Sequence, residues 1–244
     1  MKLNEYIDSR KELDDILKVN EIFVSIEGEG LNSGLPTIFV RLFGCNLACS
    51  YCDTRYACVG NEYKTYTITD IAEYCNLIRK FKSVNRITLT GGEPLLDKNA
   101  ITLLRKLDDL GFLVNIETNG SIDLTAIHEL RKDGILKNIQ IIMDIKLPSS
   151  NEMDNMKASN YKLLDNRDAI KFVVGTRKDL EAIKQFMKVE YTQYTNPPHI
   201  YVSTVFNKLT HAEVVDYILA NELTECRVQL QIHKYIWNPD KKGV

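Results

Sequence analysis

Six apolar runs of strand length recur along this 244-residue chain: "IFVRLF" (38–43), "RITLT" (86–90), "FLVNIET" (112–118), "IQIIMDI" (139–145), "IKFVV" (170–174) and "IYVSTVF" (200–206). They are continuous rather than alternating, the pattern of strands covered on both faces. Helical periodicity lies between them. Ile71, Tyr74, Cys75, Ile78 and Phe81 share a helical face after Thr69; Ile101, Leu104, Leu107 and Leu110 follow Asp97, with Gly111 as the stop. A third helix runs from about Asp123 to Gly134, and Thr210 to Glu213 reads as a capping box opening another. Residues 146–170 read as a loop with a short helix. Strand and helix in repetition mean right-handed βαβ units and a parallel sheet. Six strands are too few for a closed eight-stranded barrel, so an open partial barrel and a doubly wound sheet both fit. Residues 1–20 read as a short helical extension and 227–237 ("RVQLQIHKYIW") as a flanking strand, all within a single domain.

In either architecture chemistry belongs at the carboxyl ends of the strands. The segments just after the runs are "GCNLACSYCDT", "GGEP", "NGS", "KLPSS" and "GTRKD". Cysteine, glycine, acidic and hydroxyl residues accumulate where that rule places a site.

Bulk properties exclude several classes. Apolar residues make up 44%, enough for a core, and the net charge of -2 offers no basic field for nucleic acid. No stretch approaches the roughly 20 apolar residues that span a bilayer. The charged start "MKLNEYIDSRKELDDILK" is no secretory signal, so the expected location is the cytoplasm. In a reducing compartment six cysteines do not form a disulfide framework, and a tight cysteine group reads as metal binding or catalysis.

That group is Cys45, Cys49 and Cys52, with Cys58 farther on. A zinc site would need all four thiolates, as in a zinc-stabilised binding module. A [4Fe–4S] cluster held by three cysteines would leave one iron open. The CxxxCxxC spacing, with Tyr51 before the last cysteine and "TGGEP" at 90–94, resembles the radical S-adenosylmethionine (SAM) superfamily. The resemblance implies a partial, open TIM-like barrel of about six parallel strands, with a reduced cluster cleaving SAM to a 5′-deoxyadenosyl radical. A glycyl-radical activase would share those features. "NEIFVSIEGEGLNSGLPTIFVRLFGCNLACSYCDT", "LTGGEPLL", "IETNGS", "MDIKLPSS" and "QLQIHKYIW" resemble the 7-carboxy-7-deazaguanine synthase family. That family contracts 6-carboxy-5,6,7,8-tetrahydropterin to 7-carboxy-7-deazaguanine with release of ammonia, on the route to queuosine. It needs magnesium, takes electrons from a donor such as flavodoxin or ferredoxin, and forms homodimers.

The resemblance assigns roles residue by residue. Cys45, Cys49 and Cys52 hold the cluster. Tyr51, Gly92, Glu93, Asp144 and Lys146 contact SAM, with exposed main-chain groups of the "GGEP" turn and Glu93 meeting its ammonium. Thr54 binds magnesium through its hydroxyl, a hard ligand for a hard cation. Ile26, Glu27 and Gly28 meet the pterin, where the family commonly has glutamine in place of Glu27. Thr90 contacts substrate, and His233 closes the site from the C-terminal strand. Arg41, inward-facing on the first run, matches the substrate carboxylate. Glu117 and Glu29 are the acid–base candidates. Asp53 is a cap or support for the cluster loop. Cys58, Cys75 and Cys226 are expected to be structural.

Overall fold

The computed structural model describes residues 15–238 and 241–244. All six apolar runs are strands: β2 (Pro36–Leu42), β4 (Arg86–Gly91), β5 (Leu113–Thr118), β6 (Ile139–Asp144), β7 (Ala169–Val174) and β8 (His199–Thr204). They join β1 (Ile16–Ile26), β3 (Lys64–Thr67) and β9 (Cys226–Val228) in one sheet, ordered β3-β1-β2-β4-β5-β6-β7-β8-β9. Pairing is parallel from β2 through β9, while β1 runs antiparallel to both β2 and β3. The end strands β3 and β9 do not pair with each other, so the sheet curls into an open partial barrel rather than a closed one.

The strands are less uniformly apolar than their runs suggest. Ile87 and Leu89, Val114 and Ile116, Ile141 and Met143, and Ile170 and Phe172 form a core with the outer helices. The alternate positions, among them Thr90, Glu117, Asp144 and Lys171, line the concave face. Period-two geometry puts these neighbours on opposite faces: the outer face is hydrophobic, and the inner face mixes these polar groups with Phe39, Ile142 and Val173.

The helices are α1 (Ile68–Lys82), α2 (Asn99–Asp109), α3 (Thr125–Lys132), α4 (Arg177–Val189), α5 (His211–Ala220) and α6 (His233–Ile236). α1 is capped by Thr67, two residues before the expected Thr69, because Thr67 and Asp70 form a reciprocal capping box. It buries Ile68, Ile71, Ala72 and Cys75, while Tyr74 and Phe81 of the expected face are exposed. α2 buries Ala100, Leu103, Leu104 and Leu107 and stops before Gly111, whose φ of +76° is the left-handed conformation a C′ glycine supplies. The Thr210–Glu213 capping box opens α5 as expected. Residues 146–170 contain only short 3-10 turns before β7.

Two expectations need correction. Residues 16–20 are strand, not helix, because the first half of β1 pairs with β3 and the second half with β2. The remainder of the expected helical extension, residues 1–14, lies outside the described residues. At the other end only Cys226–Val228 is strand, and His233 begins a short helix that turns back toward the cavity.

Candidate active site

A cavity of about 580 Å³ opens at the carboxyl ends of the parallel strands. The loop after β2 brings Cys45, Cys49 and Cys52 to its wall, each half-buried. The Leu47 amide and the Asn119 side chain donate to Cys45 Sγ at 3.5 and 3.8 Å. Cys58 also reaches this wall, with its Sγ 3.9 Å from that of Cys52. Hydrogen bonding from the Cys58 thiol draws Cys45 and Cys52 down to about 6 and pushes Cys58 itself up. Burial instead raises Cys49, whose proton a metal would displace on binding, and three cysteine sulfurs in one cavity wall fit a [4Fe–4S] cluster. Among the described residues no three His, Cys, Asp or Glu side chains converge as a single metal ion would require.

The "GGEP" turn after β4 packs directly on this loop. A Cβ at Gly92 would sit 2.4 Å from Gly44 O and 2.6 Å from Cys45 Cβ. The Glu93 amide donates to Gly44 O at 2.9 Å. The glycine therefore serves close approach of backbone to backbone as well as lining the cavity. Glu93 is held within the turn. Its carboxylate is 2% exposed and accepts from Leu95 N (3.0 Å), Thr118 Oγ1 (2.9 Å) and Asn119 N (2.7 Å). Burial pushes it up to about 7. It fastens the turn to the end of β5, and Gly91 and Gly92 of the same turn line the cavity.

Tyr51, Asp144 and Lys146 do line the cavity. The Tyr51 hydroxyl donates to Val173 O at 3.4 Å, and Lys146 Nζ pairs with Asp144 Oδ2 at 2.8 Å. Asp144 Oδ1 is buried with no protein partner, an acceptor open to a ligand donor. Glycine backbone, an aromatic face and this unfilled acceptor beside the cysteines form a cradle that fits SAM. Thr54 lines the same wall and makes no side-chain capping bond to the turn it precedes. Its hydroxyl, whose protein partner is Cys52 Sγ at 3.9 Å, keeps oxygen lone pairs that fit a magnesium ligand. Asp53 is ion-paired with Lys234 of α6 at 3.0 Å, tying the cysteine loop to the C-terminal segment.

Below lies the barrel interior. Ile26, Glu27, Gly28, Arg41, Thr90, Glu117, Glu29 and His233 all line it. Thr90 Oγ1 donates to Glu117 Oε2 at 2.9 Å. Glu27 accepts from Thr88 Oγ1 at 2.5 Å and from the Gly28 amide at 3.0 Å. Gly28 is glycine for a visible reason: a Cβ there would lie 2.0 Å from His233 Nδ1. His233 thus covers the Gly28 loop from a helix rather than from the expected strand, and the Ile232 amide donates to Gly28 O at 3.2 Å. Arg41 faces inward as expected, yet its Nε already donates to Glu21 at 2.8 Å. Glu29 is not free either: Lys171 Nζ lies 3.0 Å from one oxygen and Gln229 Nε2 3.3 Å from the other.

Four contributors escaped the sequence reading: Lys171, Glu21, Gln229 and Lys234. Only Lys171 left a signal, as a lone cation in the apolar run "IKFVV". Burial would lower it, but Glu29, Asp144 and Glu117 outweigh that and hold it well above the ordinary lysine value. Glu21, Gln229 and Lys234 meet the site through contacts distant in sequence.

The model of the radical SAM superfamily matches residues 40–219. Over 230 residues the chain is 43% identical to 7-carboxy-7-deazaguanine synthase of Clostridium acetobutylicum, covering 93% of this chain and 99% of that one.

This chain belongs to the 7-carboxy-7-deazaguanine synthase family.

The synthase of Methanospirillum hungatei is 37% identical over 224 residues, 91% of this chain and 86% of that protein. The crystal structure of QueE from Escherichia coli superposes with a TM-score of 0.68 at 20% identity, covering 93% of this chain and 98% of that one, and shows the same fold. As a radical SAM synthase the chain uses S-adenosylmethionine and a [4Fe–4S] cluster. Neither the activase nor the zinc-module alternative is favoured by these relatives. Among the described residues no helix is long and apolar enough to cross a membrane.

Proposed function

We propose that this chain converts 6-carboxy-5,6,7,8-tetrahydropterin to 7-carboxy-7-deazaguanine with release of ammonia, with its cavity residues in the following roles. The supporting observation is the polar barrel interior beneath the cysteine loop, where Thr90 holds Glu117 at 2.9 Å among Arg41, Glu29 and Lys171. Cys45, Cys49 and Cys52 hold the cluster, and Tyr51, Gly92, Glu93, Asp144 and Lys146 hold SAM. When bound, cluster and SAM supply the one-electron chemistry that opens the reaction.

The chain's own residues position and protonate. Ile26, Glu27, Gly28 and Thr90 seat the flat ring against backbone and hydroxyl. Arg41 commits Nε to Glu21 and keeps its terminal nitrogens for the substrate carboxylate, a bidentate acceptor. Thr54 holds the magnesium ion that aligns the substrate. Glu117 moves the protons that ring contraction and ammonia release require, because Glu29 has both oxygens engaged. His233, with α6 anchored on Asp53, covers the bound ring and excludes water.

The enzyme works in the cytoplasm as a homodimer, with flavodoxin or ferredoxin as the one-electron donor. Anaerobic turnover of the carboxypterin with reductant, SAM and magnesium, followed by mass spectrometry, tests the reading. A product lighter by one ammonia supports it, and unchanged substrate with intact cluster and SAM cleavage sinks it.

A further inference from the structure

Glu27 stands apart from every other acidic group that lines the cavity wall. Asp53 has Lys234, Asp144 has Lys146, and Glu29 has Lys171. Glu117 lies within electrostatic reach of both Arg41 and Lys171. Glu27 is 2% exposed, and its hydrogen-bond partners are neutral: the Thr88 hydroxyl and the Gly28 amide.

The charges acting on it come from two sides. Glu117 on β5 and Glu29 on its own loop are both carboxylates. The cations nearby are committed elsewhere, Lys171 of β7 to Glu29 and Arg41 of β2 to Glu21. From α6, His233 covers Gly28, and burial lowers its own tendency to protonate. Thr88 on β4 contributes only its hydroxyl. A third negative charge here would be buried, uncompensated and beside two like charges, the arrangement that keeps a carboxyl protonated.

We propose that Glu27 works as an un-ionised carboxylic acid that reads the substrate ring with one donor and one acceptor. This rests on the pterin reading of the site. A neutral carboxyl offers O–H and C=O side by side and matches the fused-ring edge where a ring nitrogen or carbonyl acceptor adjoins an N–H donor. An ionised carboxylate offers acceptors only and leaves the ring acceptor unpaired. Burial first, then the Glu117 charge, raises Glu27 to about 8, consistent with this geometry.

The sign of the linkage follows. Glu27 keeps its proton in the fold but loses it in the unfolded chain near the ordinary carboxylate value. Its contribution to stability is therefore fully present below that value and is lost as pH rises toward 8.

The test compares wild type with Glu27→Gln, which fixes the neutral donor–acceptor form. In the first arm, without substrate, urea unfolding of each protein is measured from pH 5 to pH 9. The wild type is expected to lose stability relative to Glu27→Gln across about pH 5–8 and to level off above. In the second arm, equilibrium binding of 6-carboxy-5,6,7,8-tetrahydropterin is measured anaerobically over the same range. Wild-type affinity is expected to fall about tenfold per pH unit above 8, while Glu27→Gln shows no such limb. Parallel stability curves for the two proteins overturn the proposal. So does substrate binding by the wild type that is flat through pH 9 while Glu27→Gln binds weakly throughout. A carboxypterin that binds neither protein at any pH, with the stability difference still present, refutes the substrate assignment and leaves the neutral acid established.

Discussion

Arg41 and Glu21 meet at 2.8 Å across adjacent strands, and the same Glu21 oxygen accepts the Tyr56 hydroxyl at 3.0 Å. Tyr56 lies just beyond the cysteine loop, so one carboxylate fixes both a cavity arginine and the segment following Cys52. Glu21→Ala should leave Arg41 charged but untethered. The expected result is a KM for the carboxypterin raised about tenfold, near 1.4 kcal/mol, with a smaller change in kcat. Arg41→Ala should raise it further, by roughly 2–5 kcal/mol in binding. Steady-state kinetics decide the matter, and an unchanged KM in Arg41→Ala moves the carboxylate site elsewhere.

Lys171 and Glu29 form a buried pair whose side chains are 13% and 11% exposed. Lys171→Met strands the Glu29 carboxylate, at an expected cost of about 3–5 kcal/mol in unfolding free energy. Adding Glu29→Gln should return most of that loss. Because Lys171 is held well above the ordinary lysine value, the wild-type pair persists from neutral pH through the normal lysine range. Urea unfolding of the single and double variants reads this out, and a double variant no better than the single argues that Lys171 acts through other groups.

Gly92→Ala places a methyl 2.4 Å from Gly44 O and 2.6 Å from Cys45 Cβ. The neighbours are backbone and the Cβ of a CxxxCxxC cysteine, neither of which yields as the far end of a flexible side chain would. Iron per chain after anaerobic reconstitution should fall severalfold, while far-ultraviolet circular dichroism stays native. Full iron occupancy would show that the loop has room the geometry denies.

Cys58 stands 3.9 Å from Cys52, yet three cysteines suffice for the cluster. Cys58→Ala is expected to retain about the wild-type iron content, whereas Cys49→Ala loses it. Iron lost from Cys58→Ala would make it a fourth ligand.

Thr54 carries the magnesium proposal. Thr54→Val keeps the shape and removes the oxygen, so the magnesium dependence of product formation should flatten with SAM binding intact. Thr54→Ser should recover part of it. Misalignment of about 1 Å can cost on the order of 10²-fold in rate, which sets the scale of the effect. A wild-type magnesium curve from the valine variant would remove Thr54 from the metal site.

Local signals carried much of this protein. The apolar runs marked β2 and β4 through β8, because strand length and spacing are encoded within each segment. Capping chemistry placed α5 at Thr210, and CxxxCxxC with "GGEP" marked two loops that the structure brings into contact. The sequence also singled out Glu27, Glu29, Arg41, Thr90, Glu117 and His233, all of which line one cavity.

Tertiary structure decided what those side chains face. Glu93 sits in a motif legible from sequence, but that its carboxylate also ties the turn to Thr118 and Asn119 is set by the fold. Residues 16–20 looked helical, yet an open edge of β1 met β3 and made strand. His233 looked like part of a strand, until β9 ended at Val228 and the chain turned back over Gly28. Glu21, Lys171, Gln229 and Lys234 entered the site through partners 20 to 200 residues away. Periodicity and motifs report interactions between near neighbours in the chain. The ionisation of Glu27 and the pairing of the cavity charges depend on burial and on which distant charges the fold brings within a few ångströms.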